Sequence, residues 1–375
     1  MNLLDAAQRR RLETHLSRRL GELLVDTRRE LDEFDALNVE SEKGSLGAIA
    51  RAVQRFVESG GKRLRPQLCL WTCQLCGGDA VATVALDAAC GWELFHAFLL
   101  VHDDIIDAAD TRRDRPSLHR ELAGLDGDSA IFGANLGIVA GDLLFAAAMR
   151  LWHGCDDDCD LSLATYRRLL TVFGRVALET GIGQAADITQ AHLPLADVAE
   201  KRVLAGYHAK TAAYTFEGPM LTGAILAGAD EATLDRLKAY STALGRAYQV
   251  QNDLIDLAGP ATIGGDLAQQ KRTLTLVRGR DLCPASERPT FDADCRAAAD
   301  GPAADRLAAA ERLRRRLFDL GAVDATGRLV GDLLATARAA ATASDVPPPL
   351  SSGLASLLDN LESAYFRTPA AAVGA

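Results

Sequence analysis

The chain has 375 residues, of which 41 are Lys or Arg and 51 are Asp or Glu, so its formal net charge at pH 7 is −10. This negative balance argues against a nucleic-acid-binding surface, which needs an excess of basic side chains. Hydrophobic residues make up 48% of the chain and aromatic residues only 5%, which is typical of a helix-rich globular protein with a large core.

The N-terminal segment, residues 1–43, mixes charged residues with leucine at helical spacing, so we predict a helix that packs on the core. It contains no continuous apolar block followed by a small-residue cleavage site, and we therefore expect a cytoplasmic protein. No later segment reaches the roughly 18 to 20 uninterrupted apolar residues of a spanning helix, so we expect no transmembrane segment.

Apolar residues recur every three or four positions through the rest of the chain, which predicts an all-α fold. Glycine, proline and aspartate clusters predict breaks at residues 60–61, 77–79, 124–128, 154–160, 192–197, 258–266 and 283–302. We predict one helical domain over residues 44–365 and a loose tail over 366–375. Because single cores stop growing near roughly 250–300 residues, a helical bundle of this size is expected to surround a deep central cavity.

One predicted helix ends at the sequence HDDIID, in which Asp103, Asp104 and Asp107 follow an apolar run. With about 3.6 residues per turn, Asp103 and Asp107 lie one above the other. Carboxylates on one helix face repel each other unless cations neutralise them, and Mg²⁺ prefers one or two carboxylates together with substrate phosphates. Arg112 and Arg113 follow with forked donors suited to diphosphate oxygens. This segment alone leaves open a solvated acidic helix end whose carboxylates pair with those arginines.

A second acidic helix is predicted at the sequence AYQVQNDLIDL. Asn252, Asp253 and Asp256 follow Gln249 at spacings of three, four and seven residues, so the four form one stripe. Basic residues lie near glycines or helix breaks around both stripes: Lys62, Arg63 and Arg65 in GGKRLRP, Lys210 beside Thr211, and Lys271 with Arg272 in KRTL.

The two stripes with their basic neighbours predict a site for a diphosphate ester. Carboxylates would hold Mg²⁺, Mg²⁺ and basic residues would hold the diphosphate, and apolar helices would line a cavity for the attached hydrocarbon. Cations on a leaving diphosphate stabilise the charge that develops as its carbon–oxygen bond breaks. The expected result is an allylic carbocation in a dry pocket.

In these motifs and their order, residues 60–276 resemble the trans-isoprenyl diphosphate synthases, the polyprenyl synthetase family. The resemblance is carried by GGKRLRP, HDDIID with RR, GDLLFAAA, GQAADI, KTA, QNDLID and KRTL. It implies an all-helical homodimer that condenses isopentenyl diphosphate head to tail with dimethylallyl, geranyl or farnesyl diphosphate. It also implies three Mg²⁺ ions per active site, which Mn²⁺ can replace.

The resemblance further implies roles for the matching residues. The ligands of Mg²⁺ would be Asp103, Asp107, Asn252, Asp253 and Asp256, with Asp104 in support. The allylic diphosphate would be held by Arg112, Lys210, Gln249 and Lys271. Thr211 and Gln249 would stand near the ionising carbon. Isopentenyl diphosphate would be held by Lys62, Arg65, His96 and Arg113.

Two departures from the family pattern weaken the expected hold on diphosphate. Asn252 stands where the family usually has aspartate, and an amide oxygen binds Mg²⁺ more weakly than a carboxylate. The loop sequence GPATIGG lacks the lysine that the family often has there.

Two alternatives stay open at this point. A class I terpene cyclase has an Asn-headed second metal motif, but NDLIDLAGP lacks the Ser or Thr and the Glu that complete it. The intact GGKRLRP motif and His96 also argue for a second diphosphate substrate, which a cyclase does not need. A non-catalytic regulatory subunit would be expected to lose the first aspartate motif, which is intact here.

Product length is predicted from the residues that precede the first aspartate motif. Phe98 lies five positions before Asp103, Phe95 lies eight before, and the smaller Leu99 lies four before. An aromatic residue at five without one at four resembles the family members that make geranylgeranyl diphosphate, so we expect that product. The alternative is that both phenylalanines only pack the core.

Overall fold

The computed structural model describes residues 2–30, 46–153, 161–259, 265–300 and 302–366. The chain divides into two compact units, Met1–Leu170 (unit 1) and Thr171–Ala375 (unit 2). Apart from one short hairpin, the regular structure of the described ranges is helical, which confirms the all-α prediction. The predicted domain boundary at residues 43 and 44, the predicted break at 154–160 and residues 367–375 of the tail lie outside the described residues.

Unit 1 is organised around two long helices. Its helices are α1 (Ala6–Glu30), α2 (Leu46–Glu58), α3 (Leu64–Leu75), α4 (Thr83–Ile106), α5 (Leu118–Ala123) and α6 (Ala130–His153). Small residues let α4 and α6 approach closely: a Cβ added to Gly91 would overlap the Trp152 indole, and one added to Gly141 would overlap the His102 ring. The side chains of Trp92, Leu94 and Phe95 are buried in the core of this unit.

Helix α7 (Leu163–Ala191) begins in unit 1 and ends in unit 2. The remaining elements are α8 (Glu200–Tyr207), a π-helical segment (His208–Glu217), α9 (Gly218–Leu226), α10 (Glu231–Ala258), α11 (Leu274–Leu282), α12 (Arg288–Ala299), α13 (Ala303–Asp319), α14 (Ala322–Ala341) and α15 (Pro348–Ala364). In unit 2, α10 packs against the π-helical segment and against α14. The Tyr240 hydroxyl of α10, which is fully buried, donates to the Leu354 carbonyl.

The predicted break at 283–302 is wrong, because α12 lies within it. Pro289 stands in the first turn of this helix, where its missing N–H and fixed φ are tolerated. Phe291, Cys295 and Ala298 follow at spacings of four and three and are buried. The periodic apolar face therefore outweighs the proline and aspartate residues.

A two-residue hairpin follows α4. Its strands are β1 (Thr111–Arg112) and β2 (Arg115–Pro116), which pair antiparallel. The connecting residues Arg113 and Asp114 have φ values of 54° and 60°. Positive φ at both central residues is the conformation that such tight hairpins require, although Asn-Gly is the usual sequence.

Two of the described helices, α4 and α6, are long and apolar enough to cross a membrane by length and composition alone. The most apolar window of α4 is 72% buried, as expected for a core helix, whereas that of α6 is 33% buried. Ile131, Ile138, Val139 and Leu143 of α6 are exposed. Burial in the core therefore accounts for the apolar composition of α4 but not for the exposed apolar residues of α6.

Candidate active site

The first aspartate motif lies at the end of α4 and separates its carboxylates into two environments. The Asp104 side chain is 1% exposed and accepts hydrogen bonds from Arg112 at 2.5 and 2.8 Å. The Asp103 side chain is 32% exposed, and its carboxylate lies 3.8 Å from Arg112. Asp107 caps the helix and is half-buried. The arginine pairing that the sequence left open therefore applies to Asp104, while Asp103 and Asp107 remain accessible.

Backbone strain collects beside the predicted site residues of the described chain. Six non-glycine residues have positive φ, and five of them adjoin or belong to the predicted site: Arg63, Ala108, Arg113, Asp114 and Gln270. Such conformations are uncommon and cost of order 1–3 kcal/mol each. Strain that clusters in this way is typical of functional sites.

Unit 1 brings together most of the residues predicted to hold isopentenyl diphosphate. Burial, then the nearby guanidinium groups of Arg65 and Arg113, hold the pKa of His96 well below its ordinary value, so its imidazole is neutral. Arg113 donates to the Gly60 carbonyl. Gly61 has a φ of 139°, which L side chains rarely adopt, so its backbone conformation favours glycine, and a Cβ there would lie 2.8 Å from the Arg113 guanidinium.

Lys62 faces a cavity on the side of α1. The cavity has a volume of about 620 Å³, and its charged lining residues are Arg9, Arg10, Glu13, Lys62 and Arg63. Arg63 is buried and pairs with Glu93 at 2.7 Å and with Glu13 at 3.0 Å. Arg63 therefore stabilises the loop, whereas the Lys62 side chain is exposed.

The second aspartate motif lies on α10 and includes a buried carboxylate. Asp253 accepts hydrogen bonds from the Tyr207 hydroxyl and, at 2.8 Å, from Gln249. Burial, then the nearby Asp266 carboxylate, raise the pKa of Asp253 well above its ordinary range, and the nearby Lys271 only partly opposes this. A cation bound at this position would favour the charged carboxylate.

Further acidic and basic groups lie beside Asp253 in unit 2. Asp256 accepts from the Asp266 backbone N–H at 3.0 Å, and Asp266 lies 3.3 Å from the Lys271 ammonium. Lys210 pairs with Asp187 at 2.5 Å. One cavity of about 80 Å³ is lined by the predicted site residues Lys210, Thr211, Gln249, Asp253 and Lys271. Unit 2 therefore brings together its share of the predicted diphosphate site.

The described residues contain no group of three or more His, Cys, Asp or Glu side chains placed to hold a metal by themselves. Mg²⁺ does not require such a group, because it keeps several waters and is bound through one or two carboxylates plus substrate phosphates. Asp103 and Asp107 in unit 1, and Asp253 and Asp256 in unit 2, fit that mode of binding.

Asn252 has a partner that the sequence does not indicate. Its amide oxygen accepts a hydrogen bond from the Tyr365 hydroxyl, just after α15. The Tyr365 ring stacks on Tyr248 at 4.8 Å, and the Tyr365 carbonyl accepts from Gln251 at 3.2 Å. Asn252 therefore serves first as a contact for the C-terminal segment.

The predicted chain-length residues form part of an aromatic cluster in unit 1. The ring centroids of Phe95 and Phe98 are 5.7 Å apart, and Phe145 of α6 lies 5.3 Å from Phe98. Phe95 is buried, whereas Phe98 and Leu99 are half-buried. Phe145 lies in the motif GDLLFAAA, but nothing local in the sequence links α6 to this cluster, so its contact with Phe98 was missed.

Four other residues of the candidate site were also missed: Asp187, Tyr207, Asp266 and Tyr365. Asp187 lies in the motif GQAADI and Asp266 directly follows the loop GPATIGG, so both positions carried a usable signal. Tyr207 and Tyr365 contact residues that are 46 and 113 positions away, and no local pattern indicates either contact.

Each unit carries aspartates at or near a helix end with lysine or arginine side chains close by, which is the arrangement that the sequence predicts for an all-helical enzyme acting on diphosphate esters. The family model for polyprenyl synthetase matches residues 47–301. Geranylgeranyl pyrophosphate synthase 12, chloroplastic, from Arabidopsis thaliana is 31% identical over 68% of this chain and 70% of its own length. The geranylgeranyl diphosphate synthase of Cyanophora paradoxa is 31% identical over 64% of this chain and 77% of its own.

The fold is also similar to solved structures. The geranylgeranyl pyrophosphate synthase of Corynebacterium glutamicum, in complex with isoprenyl diphosphate and magnesium, is 26% identical with a TM-score of 0.75. The match covers 95% of this chain and 99% of that chain. The chain belongs to the polyprenyl synthetase family. It is a short-chain trans-prenyltransferase, as the sequence motifs predicted.

Proposed function

We propose that the enzyme condenses isopentenyl diphosphate with an allylic diphosphate in the presence of Mg²⁺ and that its main product is all-trans geranylgeranyl diphosphate. The grouping of Arg65, His96 and Arg113 beside Lys62 carries this proposal, because it supplies a site for a second diphosphate. The names of the relatives from Arabidopsis and Cyanophora support the choice of product.

In the proposed mechanism the basic residues bind the two diphosphates and the carboxylates bind Mg²⁺. When bound, Mg²⁺ would supply positive charge to the diphosphate leaving group. Lys210 and Lys271 donate to the allylic diphosphate, with Arg112, and so favour cleavage of its carbon–oxygen bond. Neutral His96 donates one hydrogen bond to isopentenyl diphosphate beside the charged arginines. The double bond of isopentenyl diphosphate attacks the allylic cation, and the released diphosphate takes the final proton.

The proposal is tested by incubating the purified protein with isopentenyl diphosphate and each of the three allylic diphosphates in turn, and identifying products by mass. We expect geranylgeranyl diphosphate. A hydrocarbon or alcohol formed without isopentenyl diphosphate would indicate a terpene cyclase. A folded protein that is inactive with every primer would support the regulatory-subunit alternative.

We propose Asp103, Asp107, Asp253 and Asp256 as the main Mg²⁺ ligands and Asn252 as a weaker one. Three ions per site, replaceable by Mn²⁺, remain the expectation for this chain. Asn252 can contribute only if its oxygen is shared with or released by Tyr365.

We expect Asn252→Asp to lower the Mg²⁺ concentration that gives the half-maximal rate, because a carboxylate binds Mg²⁺ more strongly than an amide. The effect is measured by titrating activity with Mg²⁺. Ala239→Asp is the control, since it adds the same charge on an exposed site of α10 about 20 Å away. An unchanged Mg²⁺ dependence would exclude Asn252 from the ligands and leave it as a contact for Tyr365.

We propose that two copies of the chain associate. The exposed apolar residues of α6 include Ile131, which is 77% exposed, and α7 carries its own exposed pair, Leu178 and Ile182. Apolar stripes of this kind are typical of protein interfaces. Sedimentation equilibrium tests the proposal: we expect twice the 39.9 kDa mass of one chain, and a single-chain mass would contradict it.

We propose the cytoplasm as the compartment, as the sequence predicts. The Arabidopsis relatives are named chloroplastic, which makes a plastid the alternative. Fractionation of the source cells distinguishes the two.

We expect Phe98→Ala to lengthen the product by one or more isoprene units. Phe98 packs against both Phe95 and Phe145, so its truncation opens space in the aromatic cluster that we propose as the floor of the chain pocket. The measurement is product mass, and Phe56→Ala is the control because Phe56 is half-buried in the same unit outside the cluster. If the folded, active Phe98→Ala enzyme makes a product of unaltered length, Phe98 is not the floor.

A further inference from the structure

The segment His208–Glu217 is π-helical over ten residues and carries Lys210 and Thr211. In a π-helix each N–H bonds to the fifth residue back, which gives about 4.4 residues per turn. Such helices are rare, they occur mostly as single turns inside α-helices, and they are frequent at functional sites. A run of this length needs contacts that hold it in place.

A buried carboxylate joins the two ends of the segment. Glu217 is fully buried, and its carboxylate accepts from Arg175 of α7 at 2.6 Å. Its other oxygen lies 3.6 Å from Nε2 of His208, the first residue of the segment. Nine residues make about two turns of a π-helix, which places His208 and Glu217 on one face. In an α-helix nine residues make about two and a half turns, and the two side chains would point in opposite directions.

Two glycines seat the backbone of the segment between neighbouring helices of unit 2. A Cβ added to Gly183 of α7 would overlap the Lys210 backbone. One added to Gly245 of α10 would overlap Ala212. The segment is therefore packed directly against α7 and α10 at the level of Lys210 and Ala212.

We infer that Glu217 is a positioning residue, which holds the segment in its π-helical register through Arg175 and His208 and thereby fixes where Lys210 and Thr211 point. Each step of an α-helix turns about 18° further than a step of a π-helix. Over the seven steps from Lys210 to Glu217, an α-helical register would turn Lys210 by about 130° relative to Glu217. An α-helical register would also break the ion pair between Lys210 and Asp187. The consequence for substrate binding rests on the proposed function.

The test compares Glu217→Gln with Glu179→Gln. Gln keeps the size of the side chain but weakens its charge-assisted hydrogen bonds by about half. Glu179 is the matched control, because it also pairs with Arg175, at 2.9 Å, but lies on α7 outside the segment. In Glu217→Gln we expect faster hydrogen exchange over residues 208–217 and a KM for the allylic diphosphate raised about tenfold. The KM for isopentenyl diphosphate should stay unchanged, and Glu179→Gln should change none of the three.

A purely structural role would give a different result. If Glu217→Gln only lowers the unfolding temperature and leaves both the exchange of 208–217 and the ratio of the two KM values unaltered, the inference is wrong. His208→Gln provides a milder variant should Glu217→Gln not fold, and the same changes are expected at smaller size. Hydrogen exchange over residues 208–217 is measured without any turnover. An inactive wild-type enzyme would therefore contradict the proposed function, while the exchange measurement would still test the role of Glu217 in this segment.

Discussion

Replacing Asp103 by Ala is expected to lower turnover by about a thousandfold or more while the unfolding temperature stays within about 1 °C of wild type. Asp103 is one of the two accessible carboxylates of the first motif, and its removal would leave diphosphate charge poorly compensated during ionisation. The Asp103 carboxylate lies 3.8 Å from the Arg112 guanidinium, and a partly exposed pair at that distance contributes little stability.

The measurement is steady-state turnover at saturating substrate and Mg²⁺, together with thermal unfolding. Asp110→Ala is the matched control, because Asp110 is an exposed aspartate seven residues later that pairs with Arg120 at 2.6 Å. We expect the control to retain near wild-type turnover. An active Asp103→Ala enzyme would contradict the assignment of this carboxylate as a Mg²⁺ ligand.

Local periodicity was sufficient to find the carboxylates that the candidate site needs, but not their environments. The spacing of Asp103 and Asp107 placed both on one helix face, and the structure keeps both accessible. Asp104 differs because Arg112 reaches it from the hairpin, which depends on positive φ at Arg113 and Asp114. Asp is common in such turns but Arg is not, so the pair Arg113–Asp114 carries only a weak signal for the hairpin.

The other features that the sequence could not predict are the helical register of residues 208–217 and contacts between residues far apart in the chain. The composition of residues 208–217 is compatible with an ordinary α-helix, and its π-helical register depends on Arg175, Gly183 and Gly245 from other helices. Tyr365 reaches Asn252 across 113 positions of the chain. Tertiary packing decides such features, and patterns within one segment do not record it.

Asp104→Ala, unlike Asp103→Ala, is expected to cause a large loss of stability. The Asp104 carboxylate is almost fully buried and holds the Arg112 guanidinium, which is 27% exposed. Removing one partner of a buried ion pair typically costs 3–5 kcal/mol, and because Arg112 can regain some water we expect about 3 kcal/mol. With an unfolding entropy of about 2.1 cal/mol/K per residue, a chain of 375 residues shifts by about 1.3 °C per kcal/mol, so the unfolding temperature should fall by about 4 °C.

Thermal unfolding of Asp104→Ala, Arg112→Ala and the double variant distinguishes the contribution of the ion pair to stability from the other contributions of the two side chains. If the loss comes from an uncompensated buried charge, the double variant should unfold at a temperature well above that expected from adding the two single losses. Asp103→Ala, one residue away on the same helix, is the control for the position. Equal losses of stability in Asp103→Ala and Asp104→Ala would contradict the division of this motif into an accessible ligand and a buried support. That division rests on the different exposure of the two carboxylates and on the hydrogen bonds from Arg112 to Asp104.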